Sequence, residues 1–352
     1  MDGVMTAAVL VGHGGPEVLR VRRDVSVPRP GSGEVLVRVG AAAVNNTDVW
    51  TREGAYGLPG RPDALAGWRG AIDFPRIQGG DIAGTVASVG DGVDGGLVGR
   101  RVLVDPALYL DESAQAPPVG LLGSEADGGF AQYVVVPAVQ AHDMADSPLT
   151  DEELACLPVA YGTALGMLER VELRNGERVL VTGASGGVGL ALVQLAAARG
   201  ATVIALTSRG KADQVRAAGA DHVLTRDEDA LLDRVRELGP DVVADVAGGP
   251  LVELLLPLLA DDGRWVIAGA VAGPVVSFDL RRLYLHNRRL IGSSMHTREH
   301  FAELVRIARA GLVRPQIAGR HPLTGIHRAQ RQFAEGRHIG KIIVLPGSGA
   351  GP

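Results

Sequence analysis

Strand-like and helix-like runs alternate from Arg178 to about Gly292, which predicts an α/β protein built on a doubly wound parallel sheet. Three observations carry this prediction. The runs RVLVT, TVIALTS, DHVL, DVVADVAG, GRWVIAGA and RLIGSS are short, apolar and β-branched, with helical stretches between them. The first run leads straight into glycines and then into the apolar helix LALVQLAAARG, which stops at Gly200. The chain before about Asp146 is β-rich instead, so the parallel sheet is expected as an insert. Residues 1–146 form the first part of a β-rich domain, 147–296 the inserted sheet, and 297–352 a return to the first domain.

The β-rich part rests on EVLVRVGAAAV (34–44), IAGTVASVG (82–90), RRVLVD (100–105) and FAQYVVVP (130–137), each bounded by Gly, Pro or Asp. Two long segments, 53–78 and 106–129, are rich in glycine and proline and read as irregular. Loops of that length in a compact domain are usually functional or mobile. Thr150-Asp-Glu-Glu-Leu opens a helix, with Thr150 and Glu153 forming a capping box. Beyond the insert come a helix (REHFAELVRIARAG), a strand-like GRHPL, a second helix (IHRAQRQFAEG) and a last strand, GKIIVLP. That strand has no partner sheet of its own nearby, hence the expected return.

The loop Ala184, Ser185, Gly186, Gly187, Val188, Gly189 has the chemistry of a pyrophosphate cradle. Gly186 lets the backbone approach the phosphates, Gly189 lets helix and strand pack closely, and free N–H groups at the helix start point at the anion. Ala184 stands where the usual first glycine would be, so a plain strand–helix turn is the alternative. In an NAD site, an acid about 20 residues further on bonds the ribose hydroxyls. Here the second strand ends on Thr207, Ser208, Arg209 and, two further on, Lys211, with no acid among them. A hydroxyl, a guanidinium and an ammonium suit a 2′-phosphate. The expected cofactor is NADPH, the alternative a solvated basic turn.

Composition narrows the class. The 352 residues are 46% hydrophobic and 21% charged, as in ordinary globular proteins, and are enough for two cores. A net charge of −5 leaves no electrostatic footprint for nucleic acid. One cysteine, Cys156, excludes a disulfide framework and a Cys-rich zinc knuckle. No apolar run reaches about 18 residues, and the first residues lack the basic region of a signal peptide. A cytoplasmic protein without membrane or nucleic-acid partners is expected.

On these residues the chain resembles the medium-chain dehydrogenase/reductase superfamily, and within it the zinc-independent quinone oxidoreductase and enoyl reductase branch. VNNTD (44–48) is similar to the branch's Val-Asn-x-x-Asp, QGGDIAGTVASVG (78–90) to its Gly-x-Asp-x-Ala-Gly-x-Val stretch, and VTGASGGVGLALVQLA (181–196) to its cofactor loop. The resemblance implies a Rossmann domain inserted in a GroES-like catalytic domain. Zinc alcohol dehydrogenases of the superfamily carry a cysteine where Asn45 stands and His-Glu where Gly80-Asp81 stands. An amide and a glycine cannot replace two such ligands, so no metal is expected. Without a Lewis acid, a conjugated C=C or quinone becomes the natural acceptor.

The resemblance also supplies site candidates. Tyr56 falls in the loop where enoyl reductases place a tyrosine proton donor, and packing is its alternative role. Asn45 could bond the nicotinamide ribose or the substrate carbonyl, or be a turn residue. Asp48 is as much a brace for the loop as a functional group, and Asp81 is expected at the domain junction. Thr163 lies on a helix like the one beside the nicotinamide, though its hydroxyl could equally bond its own backbone. Tyr161 is expected to face the cleft. Gly248, Gly269 and Ala270 sit at the carboxyl edge of the sheet, where ligands bind in open α/β folds. The His296/His300 pair and the arginines of 284–292 read as surface groups, and Cys156 as buried and inert. The expected reaction is hydride transfer from NADPH to a quinone, enone or other α,β-unsaturated carbonyl. The alternatives are a dinucleotide-binding protein with a structural or partner-recognition role, and a tailoring reductase of a secondary-metabolite intermediate. By family analogy a homodimer is expected, paired through the 263–292 strands.

Overall fold

A computed structural model describes residues 3–347. The chain divides into two units: residues up to Val159 together with those from Thr297 onward, and the inserted stretch Ala160–His296.

The first unit opens with β1 (Val4–Leu10), β2 (Leu19–Ser26), β3 (Glu34–Val44), the helix α1 (Asn46–Glu53), β4 (Arg76–Ile77) and β5 (Asp81–Val89). It continues through β6 (Arg101–Val104), β7 (Ala107–Tyr109), β8 (Pro118–Leu121), β9 (Tyr133–Pro137), β10 (Ala141–Asp143) and α2 (Asp151–Leu154). Strand β3 organises it. Its apolar run is buried along most of its length, and it pairs antiparallel with both β5 and β9. The core beneath includes Leu10, Leu19, Val37, Ile82, Phe130 and Ile342. Segment 106–129 is less irregular than expected, because β7 and β8 pair antiparallel within it.

The first boundary also lies later than 146. Thr150 caps α2 through Glu153 as expected, and α2 packs on β3 and β5. Arg101 Nε donates to Asp151 Oδ1 at 2.6 Å, so this stretch stays with the first unit. The next helix, α3 (Pro158–Arg170), carries the chain into the second unit.

The second unit alternates β11 (Arg178–Val181), α4 (Gly187–Ala198), β12 (Thr202–Thr207), α5 (Ala212–Ala217), β13 (His222–Thr225) and α6 (Leu231–Leu238). It ends with β14 (Val242–Asp245), α7 (Leu251–Leu255), β15 (Arg264–Ile267), α8 (Arg281–Tyr284) and β16 (Arg289–Gly292). The six strands run parallel in the order β13-β12-β11-β14-β15-β16. This order reverses direction beside β11, the place where open α/β sheets bind ligands. Both faces must be covered, which explains the near-continuous apolar strands and a core of Leu180, Ile204, Leu206, Val243 and Trp265. Arg288 corrects the reading of 284–292 as surface charge. It is 8% exposed and donates to the carbonyls of Pro257, Leu259, Ala260 and Arg282, stitching the segment before β16 to the end of the preceding helix.

The return consists of α9 (Arg298–Arg309), β17 (Ile317–Pro322), α10 (Ile326–Ala334) and β18 (Lys341–Leu345). Strand β18 lies between β17 and β3, pairing Ile342–Val344 with Ala42–Val44. The last strand therefore completes the first unit's sheet. Among the described residues no helix is long and apolar enough to cross a membrane.

Candidate active site

In the second unit the glycine loop joins β11 to α4. Gly183 takes a positive φ of 57°, which turns the chain, and Gly186 N donates back to Gly183 O at 3.0 Å. Gly186 is the N-cap of α4 and is exposed, and Ser185, Gly187 and Val188 are half-buried. A cap without a side chain leaves the first amides of α4 available to an anion. Ala184 is buried, with its amide bonded to Leu206 O at 3.2 Å, so its methyl is accommodated behind the loop. Gly189 is the packing glycine: a Cβ there would lie 2.2 Å from Gly183 O and 2.7 Å from Ala184 Cα.

Beside the loop, β12 ends on Thr207, whose buried hydroxyl has no hydrogen-bond partner in the protein. Ser208 follows, and a single 3-10 turn holds Arg209 and Lys211. The parallel register sets Thr225 beside Thr207 and so brings Arg226 to the same end, where Arg226 N donates to Thr207 O at 3.1 Å. Partial burial and the nearby Arg226 guanidinium hold the Lys211 ammonium below the usual lysine range. The fold also brings an acid that the local sequence lacks. Asp227 Oδ2 accepts from Arg209 Nε at 3.2 Å, in a pair that is exposed on both sides. Exposed pairs of this kind are weak and leave the guanidinium able to change partner.

At the carboxyl ends of β14 and β15 two turns close on each other. Gly248 and Gly249 both have positive φ, and Gly249 N donates to Gly273 O at 3.0 Å. A Cβ on Gly269 would lie 2.6 Å from Val246 O, and one on Gly248 3.3 Å from Ala270 Cα. Buried Asp245 braces this edge. Its Oδ1 accepts from Thr182 Oγ1 at 2.5 Å, Ala247 N at 2.9 Å and Gly248 N at 3.0 Å, and its Oδ2 from Trp265 Nε1 at 3.3 Å. Orphaned hydroxyl, free helix amides, glycine close approaches and a cationic turn together fit a dinucleotide.

In the first unit the two motifs similar to the quinone oxidoreductase and enoyl reductase branch, VNNTD and QGGDIAGTVASVG, meet in a buried polar cluster. Asn45 Nδ2 donates to Asp81 Oδ2 at 2.8 Å, and Asp81 Oδ1 accepts from Val159 N at 2.7 Å. Lys341 Nζ reaches Asp81 Oδ2 at 2.8 Å and Val44 O at 3.1 Å, and it also donates to Asn45 Oδ1. Asp48 caps α1 by accepting from Asn45 N at 2.8 Å, and Gln78 Nε2 donates to Asp48 O at 2.8 Å. Burial pushes the Asp48 carboxyl up to about 7. Tyr56 stands edge-on to Trp50 at 5.4 Å between centroids, with the Thr47 side chain near its phenol. Burial pushes its phenol up to about 12, so it holds its proton through the neutral range. The donor set at positions 45, 80 and 81 (an amide, a glycine, and a carboxylate already paired with an ammonium) does not fit a zinc ion.

Residues 31–146 match the alcohol dehydrogenase GroES-like domain, and residues 187–310 match a domain described as zinc-binding dehydrogenase. A quinone oxidoreductase of Mus musculus is 30% identical over 97% of this chain and 98% of its own length. A solved structure described as a putative alcohol dehydrogenase from Sinorhizobium meliloti is 47% identical, with a TM-score of 0.94 over 97% of each chain. A crotonyl-CoA carboxylase/reductase solved in complex with NADP is 28% identical, with a TM-score of 0.83 over 97% of this chain and 95% of that one. The chain belongs to the medium-chain dehydrogenase/reductase superfamily. Within it the chain falls in the quinone oxidoreductase and enoyl reductase branch, and it is an oxidoreductase that uses a nicotinamide dinucleotide.

Against the sequence reading, this dehydrogenase/reductase gathers Ala184–Gly189, Ser208, Arg209 and Lys211 at one end of its parallel sheet, and Gly248, Gly269 and Ala270 at the same carboxyl edge. Thr163 is buried, and its hydroxyl donates to the Met295 thioether at 3.6 Å rather than to its own backbone. Tyr161 is 2% exposed and donates to Gln194 Oε1 at 3.1 Å. Asp81 is fully buried and accepts from Val159 N and Asn45 Nδ2. Asn45 has both ends of its amide engaged inside the protein. Cys156 is buried, donates to Glu152 O at 3.2 Å, and has its thiol pushed up by burial. His300 closes a capping box with Thr297, and no group of three or more metal-ligating side chains occurs among the described residues. Sequence reasoning missed Lys341, Arg226 and Asp245. Lys341 was visible as a charge opening the apolar strand GKIIVLP, whereas the other two needed the strand register.

Proposed function

We propose that the enzyme reduces a quinone, enone or other α,β-unsaturated carbonyl with NADPH, without zinc. The observation that carries this reading is the Asn45–Asp81–Lys341 cluster. Where zinc relatives hold ligands, Gly80 offers no donor, and Asn45 and Asp81 are committed to each other and to the Lys341 ammonium. Alcohol oxidation loses its Lewis acid, while an activated C=C needs only a hydride and a proton. Bound NADPH would supply the hydride.

The chain's own residues would do the rest. The amides of α4 and the exposed loop at Gly186 hold the pyrophosphate, and Ser208, Arg209, Lys211 and Arg226 favour a 2′-phosphate over a bare hydroxyl. Tyr56, protonated at neutral pH, donates to the oxygen of the developing enolate or delivers its proton. Trp50 orients it. The relatives described as quinone oxidoreductase and crotonyl-CoA carboxylase/reductase support this class of acceptor. A second copy would pair along edge strand β16, beside an exposed apolar run that includes Val275 (88% exposed), Leu280 (64%) and Leu285 (66%).

The test is loss of NADPH absorbance against a panel of quinones and enones, with the enzyme dialysed against a chelator. Turnover that survives metal removal is expected, and Tyr56→Phe should lower kcat by about 10²-fold. Absence of turnover across both acceptor classes, or activity that appears only with added zinc, overturns the reading.

A further inference from the structure

The ammonium of Lys341 is 3% exposed, and its three N–H donors are matched by three oxygens: Val44 O, Asn45 Oδ1 and Asp81 Oδ2. No donor is left over for a substrate, so Lys341 cannot touch the reacting atoms. Its geometry nonetheless does more than hold a strand. Strand β18 is already bound to β3 by the pairing of Ile342–Val344, and an apolar residue at its start would avoid the cost of burying charge.

What an apolar residue could not do is orient Asn45. An ammonium only donates and therefore fixes Oδ1 on its own side. A carboxylate only accepts and therefore fixes Nδ2 toward Asp81. The amide is locked from both ends. Asn45 is the N-cap of α1, and its backbone N–H donates to Asp48, so the lock sets the entry angle of that helix. The same helix carries Trp50, whose ring stands edge-on to Tyr56 at 5.4 Å between centroids.

We propose that Lys341 is a positioning residue of the reductase site: its buried ammonium, saturated by Val44, Asn45 and Asp81, holds the cap of α1 so that Trp50 on that helix keeps Tyr56 in one orientation. The proposal rests on the reading of Tyr56 as proton donor. Asp81 is the obligatory counter-charge. With Asp48 also in the cluster, removing the ammonium leaves two buried carboxyls facing each other without a cation.

The experiment is Lys341→Ala, assayed for kcat, for the KM of NADPH and for rescue by alkylammonium salts. Truncation leaves a cavity shaped for a short protonated amine. Misplacement of the proton donor should lower kcat by about 10- to 100-fold. The NADPH KM should hold within about threefold, because the cofactor groups lie on residues 160–296. Propylammonium should restore about fivefold or more of the lost kcat, and tetramethylammonium or sodium chloride at equal ionic strength should not, since neither can donate three hydrogen bonds. A folded variant with wild-type kcat overturns the proposal, as does a loss that propylammonium leaves unchanged. If Lys341→Ala does not fold, Lys341→Gln decides: its uncharged amide should lose kcat to a similar extent, and a kcat within about twofold of wild type refutes the positioning role. Wild-type enzyme without turnover on any quinone or enone sinks the parent reading and this proposal with it. An active wild type alongside an unimpaired Lys341→Ala sinks the proposal alone.

Discussion

Gly186 and Gly189 sit three residues apart in one loop, and the structure gives them opposite reasons to be glycine. At Gly189 a Cβ would stand 2.2 Å from Gly183 O and 2.7 Å from Ala184 Cα, both backbone atoms with nowhere to go. Restoring ordinary contact requires a shift of about 1 Å in the loop, and overpacking of this kind costs about 1–3 kcal/mol. The displaced carbonyl belongs to the turn that accepts Gly186 N, so the cradle deforms with it. At Gly186 the same Cβ would meet Gly183 O at 3.5 Å, an ordinary contact, and the backbone (φ −77°, ψ 173°) is one that alanine adopts freely. Gly186→Ala should therefore leave stability unchanged or raise it by about 0.4–1 kcal/mol through the unfolded state. Its new methyl would lie on the exposed side of the α4 cap, where the pyrophosphate is expected. Denaturant unfolding and NADPH fluorescence titration separate the two effects. Gly189→Ala should lose both stability and affinity, and Gly186→Ala should lose affinity alone, by about tenfold or more. A Gly186→Ala variant that binds NADPH as tightly as wild type would show that the phosphates do not lie on this loop. A Gly189→Ala variant of unchanged stability would refute the packing argument.

Three further outcomes are expected. Replacing both Arg209 and Lys211 by alanine should weaken NADPH by about tenfold or more while leaving NADH nearly unchanged, because each charge-assisted bond contributes about 1.5–3 kcal/mol. Equal losses for the two cofactors would remove the 2′-phosphate from this turn. Asp48, with its carboxyl raised to about 7 in the folded chain against an ordinary aspartate value of 3.8, keeps its proton in the folded state where the unfolded chain has lost it. Its stabilising contribution is thus full below about pH 4 and falls as pH rises through 7, the loss amounting to about 3 kcal/mol between pH 5 and pH 8. Unfolding free energies of wild type and Asp48→Asn should diverge by roughly that amount across the interval, and parallel pH profiles would contradict the assignment. Leu280→Asp combined with Leu285→Asp should convert a dimer to monomer in sedimentation velocity, since both exposed side chains lie in the apolar run before edge strand β16. A wild type that sediments as a monomer refutes the pairing.

Periodicity and glycine placement made the parallel sheet legible in advance, because a strand buried on both faces and a helix packed on it leave patterns within a few residues of sequence. The same holds for β3, whose predicted limits of 34–44 match the observed Glu34–Val44, and for the capping box at Thr150. Local patterns failed where the answer depended on a distant partner. Segment 106–129 looked irregular because β7 and β8 are short, at three and four residues, and their pairing is not written in either one. The basic turn after β12 looked free of acid, until the register of β13 brought Asp227 to Arg209 and Arg226 to Lys211.

The polar cluster divides the two sources of information most sharply. From sequence alone, Asn45 and Gly80 excluded a zinc donor set, since ligand chemistry is a property of side-chain type. The same residues could not say which charge pairs with Asp81. That depended on a lysine 296 positions further along the chain, carried to Asn45 when β18 pairs with β3. A buried ammonium is tolerated only where three oxygens converge on it, and such convergence is a property of the folded backbone. The sequence determined which ligand side chains are missing at positions 45 and 80 and where the glycine loop lies; tertiary structure decided which charge pairs with Asp81.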